Sequence, residues 1–173
     1  MPSTLPPQGL EVITVDSPRA AILHRKARPV RVITRDIRSL IDQMFMTLEH
    51  AHGLGLAAPQ IGVSERILIA EVDQQKIVLV NPEILRQEGE TVATEACLSI
   101  PGLLGDVPRA SRIVVRGRNR HNRGVKIEAE GLLARVLQHE IDHLDGILFP
   151  QRVRDKKSLR SPDETAEAAV PVK

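Results

Sequence analysis

Tryptophan and tyrosine are absent from the 173 residues, and Phe45 and Phe149 are the only phenylalanines. Proteins that hold single-stranded nucleic acid stack its bases on aromatic rings, and this chain cannot build such a platform. Cysteine occurs once, at Cys97. A lone thiol stays reduced in a cytoplasm, and no second cysteine is at hand to complete a closed structural metal site. No apolar run approaches the roughly 20 residues that span a bilayer. Residues 1–9 hold three prolines and lack the basic-then-apolar pattern of a secretory signal, so a bacterial-type cytoplasm is the expected compartment. A strong charge excess is also missing. Lys+Arg number 24 against 22 Asp+Glu, so the pI of about 9.0 reflects a net charge of only +2. The arginines between Arg19 and Arg38 read as a solvated basic face, with weak attraction to RNA as the alternative. Neither a specific nucleic acid nor a membrane is an expected partner.

What is present is ordinary for a globular protein: 42% hydrophobic and 27% charged residues, in a length suited to one domain with a real core. Residues 1–9 read as a disordered lead-in. The spacing of Ile37, Leu40, Ile41, Met44, Phe45 and Leu48 predicts an amphipathic helix over residues 36–52. Asp36 suits the positive end of its dipole, and Gly53 suits the C′ position that ends it. The segment Gly53-Leu54-Gly55-Leu56-Ala57-Ala58-Pro59-Gln60-Ile61-Gly62 lets backbone approach another group closely. It lacks the third glycine of a dinucleotide fingerprint and the Lys-Ser/Thr of a P-loop. From Arg66 to Arg118 the pattern is strand-like, in the runs Ile67-Leu68-Ile69-Ala70, Ile77-Val78-Leu79-Val80 and Ile113-Val114-Val115. Asp73, Asn81-Pro82 and Gly89 are read as the separating turns, and residues 119–124 as a hairpin turn into a strand over residues 125–130. A second helix is expected over residues 132–144. Beyond Phe149 the apolar pattern fades, and the charged residues 155–173 read as a mobile tail. Helix, strands, helix implies an α+β fold with mainly antiparallel β-sheets.

The second helix carries Gln138-His139-Glu140-Ile141-Asp142-His143. Residues four apart share one helical face, so His139 and His143 can hold a single metal ion. Both continue the apolar stripe of Leu132 and Val136, where an unpartnered imidazole would be costly. With Cys97 as a third ligand, the fourth position stays open, the plan of a catalytic site. A thiolate among the ligands suits iron or zinc over magnesium and exposes the protein to oxidation. A bound metal lowers the pKa of its water from about 15.7 towards about 7. Glu140, turned about 100° from His139, can take that proton and return it to a leaving amine. Asp142 faces away from the stripe and is expected at the surface or in a salt bridge, with Arg109 as a candidate partner. His24, His50, His52 and His121 read as surface residues.

Three segments, residues 53–62, Glu95-Ala96-Cys97-Leu98-Ser99 and residues 138–143, resemble in order and spacing the signature motifs of peptide deformylases. The resemblance extends over roughly residues 10–150, including Arg25-Lys26-Ala27-Arg28-Pro29-Val30. It implies antiparallel sheets packed around a central C-terminal metal-binding helix, with an N-terminal helix, and a single catalytic domain over residues 10–154. The implied activity is removal of the formyl group, as formate, from the N-terminal formyl-methionine of nascent polypeptides. Carried over by position, Cys97, His139 and His143 would hold one divalent metal ion, Fe2+ in this family with Zn2+, Ni2+ or Co2+ able to replace it. Glu140 would be general base and then acid, while Gln60 and the backbone N–H of Leu98 would stabilise the oxyanion. Backbone around Gly55 would pair with the substrate, and Leu54, Leu132, Leu133 and Val136 would wall in the methionine side chain. Partners would be N-formyl-methionyl nascent peptides; a transient ribosome contact and the oligomeric state are left open, since residues 158–173 show no amphipathic stripe for a docking helix.

The second motif departs from the family pattern at Ala96, where glycine is usual, and an altered substrate preference is one alternative. Others are a zinc endopeptidase of the His-Glu-x-x-His type, a hydrolase using Cys97 as nucleophile, and a structural metal or binding module.

Overall fold

The computed structural model describes residues 9–164. Helix α1 spans Arg35–His50 and is capped by Thr34, whose side chain accepts from the Ile37 N–H. Strands β1 (Gly55–Ala57), β2 (Ile67–Val72), β3 (Gln75–Glu88), β6 (Arg112–Arg118) and β7 (Gly124–Glu130) form an antiparallel sheet in the order β1-β2-β3-β6-β7. Strands β4 (Thr91–Cys97) and β5 (Ile100–Arg109) pair as a separate two-stranded sheet. Helix α2 (Gly131–Leu144) follows β7 without a linker, and Gly131 takes φ +60° at that junction.

Strand β2 explains why its sequence reads as a continuous apolar run. Leu68, Ala70 and Val72 point to a core shared with Val136, Leu137 and Ile141 of α2. Ile67 and Ile69 point the other way, to a core shared with Ile41, Met44 and Leu48 of α1. Alternation of side chains across a strand thus places a helix on each face of the large sheet. A third core gathers Ile13, Leu23, Cys97, Val107, Leu148 and Phe149 beside the small sheet. The expected α+β fold around a central C-terminal helix is what the chain adopts. From Ala134 to Leu144 every residue of α2 is buried.

Several expectations are corrected. Helix α1 ends at His50, and the left-handed position falls on His52 (φ 53°). Gly53 stands one place further on, its N–H bonded to Leu48 O at 3.1 Å, in the six-to-one bond of a Schellman ending. Asn81-Pro82 is a bulge inside β3, not a turn: pairing with β6 shifts between Val80 and Glu83, and Asn81 sits at φ 53°. Its side chain is used as if it were backbone, accepting from Val30 N–H and donating to Val30 O, each at 2.8 Å. Strands β4 and β5 fall within the strand-like stretch of residues 66–118 but have no apolar run of their own, because Thr, Glu, Gly and Pro interrupt any apolar alternation. The turn between them is Leu98-Ser99, with Cys97 opposite Ile100, so Pro101 lies inside β5 and does not bound the turn. The segment expected to be mobile from Asp155 is docked as far as it is described. Arg160 and Leu104 exchange backbone hydrogen bonds of 2.8 and 2.9 Å, and Leu159 packs on the third core. Residues 1–8 of the expected lead-in and residues 165–173 of the expected tail lie outside the described residues.

Candidate metal centre

Strand β4 delivers Cys97 at its end, and α2 delivers His139 and His143 one turn apart. The three ligand atoms lie within 4.8 Å of one another, and all three residues are buried. Cys97 Sγ is 3.3 Å from His143 Nε2. His139 turns Nδ1 to Glu95 Oε1 at 2.8 Å, which leaves Nε2 pointing into the cluster. Among the described residues, His139 Nε2, His143 Nδ1 and both carboxylate oxygens of Glu140 are buried without a hydrogen-bond partner. Unpartnered polar atoms in a protein interior are costly, and a cation at the His139 side answers the Nε2 atom directly. One thiolate and two imidazoles suit zinc or a first-row transition metal and not magnesium or calcium. The residues present therefore fit the expected group.

Electrostatics point the same way. Burial disfavours charging of both imidazoles. At His139 the adjacent Cys97 and Glu95 override it and raise the pKa well above the ordinary value, whereas His143 is lowered well below it. The surroundings thus draw one positive charge to the Cys97–His139 side. Burial pushes the Glu140 carboxyl up to about 7, against the opposing charge of His139. That value suits a group that must both take and give a proton near neutrality.

Gly55 makes room for Glu140. A Cβ at position 55 would lie 2.7 Å from Glu140 Oε1 and 2.9 Å from Val136 Cγ1, distances no real side chain tolerates. Gly55 belongs to β1, the edge strand of the large sheet, so the carboxylate lies against a strand with one side unpaired by the sheet. Gln60 is 1% exposed. Its Oε1 accepts from the Ala57 N–H at 2.9 Å, and its Nε2 faces Ser99 Oγ at 3.2 Å and Cys97 Sγ at 3.8 Å. The amide is thereby held with its donor end towards Cys97. Leu98 follows Cys97 in the β4–β5 turn. Of the apolar residues singled out in the sequence, Val136 is fully buried and Leu132 is 39% exposed. Leu54 and Leu133 are half-buried against the first core.

Glu95 was assigned no role from the sequence. It is 0% exposed and binds His139, Arg109 and Arg135. Burial alone would raise its carboxyl, but the hydrogen bonds from His139 and Arg109 hold it at about 2. A signal existed: Glu95 and Cys97 are two apart on a strand and so share a face. Asp142 does pair with Arg109, at 2.5 Å, though it is buried and not at the surface. Ser99, the last residue of the second motif, is also 0% exposed and was assigned no role of its own. His24, His50, His52 and His121 are exposed as expected.

Comparison with known proteins follows the same outline. The family model described as polypeptide deformylase matches residues 10–159. A peptide deformylase of Thermomicrobium roseum is 44% identical over 171 residues, covering 91% of this chain and 96% of the relative. The crystal structure of the Thermus thermophilus peptide deformylase superposes with a TM-score of 0.78 at 46% identity, covering 83% of this chain and 85% of that one. A class I type b peptide deformylase of Acinetobacter baumannii, determined with Met-Ala-Ser bound, gives a TM-score of 0.80 at 32% identity, covering 86% and 100% of the two chains. The match in sequence and the match in fold span nearly all the described residues, and the chain belongs to the peptide deformylase family.

Proposed function

We propose that Cys97, His139 and His143 hold one divalent metal ion, Fe2+ in the cell with Zn2+, Ni2+ or Co2+ able to replace it, and that the site hydrolyses the formamide of N-formyl-methionyl peptides. The observation that carries this reading is the buried cluster of Cys97, His139 and His143 with the unpartnered Glu140 carboxyl group beside it. Bound there, the cation supplies Lewis-acid polarisation of a carbonyl and acidification of water. Glu140 takes a proton from the attacking water and delivers it to the departing amine, a task to which its pKa of about 7 is suited. Gln60 Nε2 and the Leu98 N–H donate to the formyl oxygen as negative charge develops on it, each worth up to roughly 3–4 kcal/mol. The edge of β1 at Gly55 aligns the peptide backbone by strand addition, and Leu54, Leu132, Leu133 and Val136 line the place of the methionine side chain.

The Acinetobacter baumannii relative binds Met-Ala-Ser, and we extend this to formyl-Met-Ala-Ser as the test substrate. Purified without oxygen and loaded with iron, nickel or cobalt, the protein is expected to release formate from it; no formate with any of the three metals overturns the reading. The zinc-endopeptidase alternative and the altered preference through Ala96 are not favoured by the family match. Ala96 sits where the β4–β5 register shifts between Glu95 and Cys97. The proposed setting is the cytoplasm, with transient contact to the ribosome that supplies nascent chains. Salt-sensitive co-sedimentation with ribosomes tests that contact.

A further inference from the structure

Behind His139 runs a chain of charged groups that proton transfer does not use. Glu95 accepts at Oε1 from His139 Nδ1 (2.8 Å) and Arg109 Nη2 (2.9 Å), and at Oε2 from Arg109 Nε (2.9 Å) and Arg135 Nη1 (2.7 Å). A carboxylate offers about four lone-pair sites, so all are filled. Arg109 then donates through Nη1 to Asp142 Oδ2 at 2.5 Å. Asp142 is held from its far side by Arg152, through Nη2 at 2.8 Å and Nε at 3.1 Å. Interior ion pairs are often no more stabilising than apolar residues of the same shape. A network retained at this depth therefore calls for a geometric explanation.

The topology supplies one. Glu95 and Arg109 lie on β4 and β5, the sheet that carries Cys97, while His139 and Asp142 lie on α2, the helix that carries both histidines. Glu95 with both His139 and Arg135, and Arg109 with Asp142, are thus three bridges between the same two elements. Spread along α2 from Arg135 to Asp142, they resist rotation of the helix as well as its translation, and Arg109 is the sheet residue that reaches Asp142. We propose that Arg109 is a positioning residue for the metal centre: joined to Glu95 and Asp142, it clamps the β4–β5 sheet to α2 and so sets where Cys97 stands relative to the histidines. Its two parallel bonds fix the plane of the Glu95 carboxylate. That plane in turn keeps the hydrogen of His139 on Nδ1 and leaves Nε2 free to ligate. Lysine, a single point charge, cannot make the paired bonds. Arg152 closes the chain from outside, its side chain 48% exposed.

This inference rests on Cys97, His139 and His143 being the ligands, and the test separates the two. Cobalt is titrated into the chelator-treated full chain and into Arg109→Lys, Glu95→Gln, Arg152→Gln and His139→Ala. The readouts are the dissociation constant and the visible ligand-field bands, with circular dichroism as a check on folding. Arg109→Lys and Glu95→Gln are expected to weaken cobalt binding about 10- to 100-fold and to shift the bands, because the ligand geometry relaxes. Arg152→Gln, the variant least exposed to folding failure, is expected to weaken binding by about 2- to 5-fold, as an outer partner in the same chain. Parent-like constants and bands in the folded variants overturn the clamp; should Arg109→Lys not fold, Arg152→Gln and Glu95→Gln decide it alone. If His139→Ala binds cobalt as tightly as the parent, the ligand assignment itself fails, and the clamp falls with it.

Discussion

Two residues at the centre act through what they exclude or relay. Gly55 is needed because the atoms a methyl group would meet belong to Glu140 and Val136, both fixed on a buried helix that cannot retreat. Gly55→Ala is expected to displace the Glu140 carboxylate and lower kcat/KM for formyl-Met-Ala-Ser by about 100-fold. The overpacking should cost about 1–3 kcal/mol of stability, and formate release with a thermal melt reads both. Glu140→Ala has a different signature. In the proposed reaction it deletes only the proton relay, so metal content on elemental analysis should stay at one ion per chain while formate release falls by roughly 10²- to 10⁴-fold. Turnover near that of the parent would remove Glu140 from the mechanism.

At the scale of elements, the site depends on how three pieces of backbone end. Strand β4 stops at Cys97 and turns in two residues, which places the thiolate at the end of a strand and not on a mobile loop. Strand β1 is only three residues long, and it ends at the Ala57 N–H that orients the Gln60 amide. From Ala134 onward helix α2 is buried, so polar residues outside the cluster of Glu140 and the two histidines are paired inwards, as Gln138 is with both Ala110 N–H and O at 3.0 Å. The bulge of β3 belongs to the scaffold alone. Asn81→Ala removes two of the hydrogen bonds that tie Val30 to the sheet and leaves a non-glycine residue at positive φ. It is expected to lower unfolding stability by about 1–3 kcal/mol in denaturant melts, with metal content unchanged. A loss of metal in that variant would mean the bulge supports the site directly.

For the molecule as a whole, metal and fold are linked. The proposed ligands come from β4 and α2, far apart in sequence, so a cation held by all three binds the folded chain in preference to the unfolded one. At a free metal concentration about 1,000 times the dissociation constant, such binding adds about 4 kcal/mol. Chelation should therefore abolish formate release and lower Tm together. Restoring Co2+ or Ni2+ should recover both, and recovery of Tm without activity would indicate a metal bound elsewhere. The docked segment around Arg160 contributes to the same unit. Its ion pair with Asp106 and hydrogen bond to Thr94 fasten the chain after Leu159 to the sheet that carries Cys97.

Local patterns in the chain were enough to bring out the candidate metal cluster and the two long helices. His139, Glu140 and His143 are legible because helical spacing alone puts the histidines on one face. The single cysteine had no competitor for the third place. Helix α1 announced itself by its apolar period, and β2, β3 and β6 by β-branched runs. Other features depend on neighbours distant in sequence. Strands β4 and β5 are held by their mutual ladder and the third core, not by propensity, so Glu95 could not be placed beside His139 until that ladder was seen. The burial of Asp142, the bridging by Arg109 and Arg135, the use of Asn81 as a bulge and the docking of Leu159 follow from packing of α2 against both sheets. Spacing along one element fixes which side chains share a face. Only tertiary packing decides which charged groups those faces meet, because each pairing compensates a desolvation that arises when the elements come together.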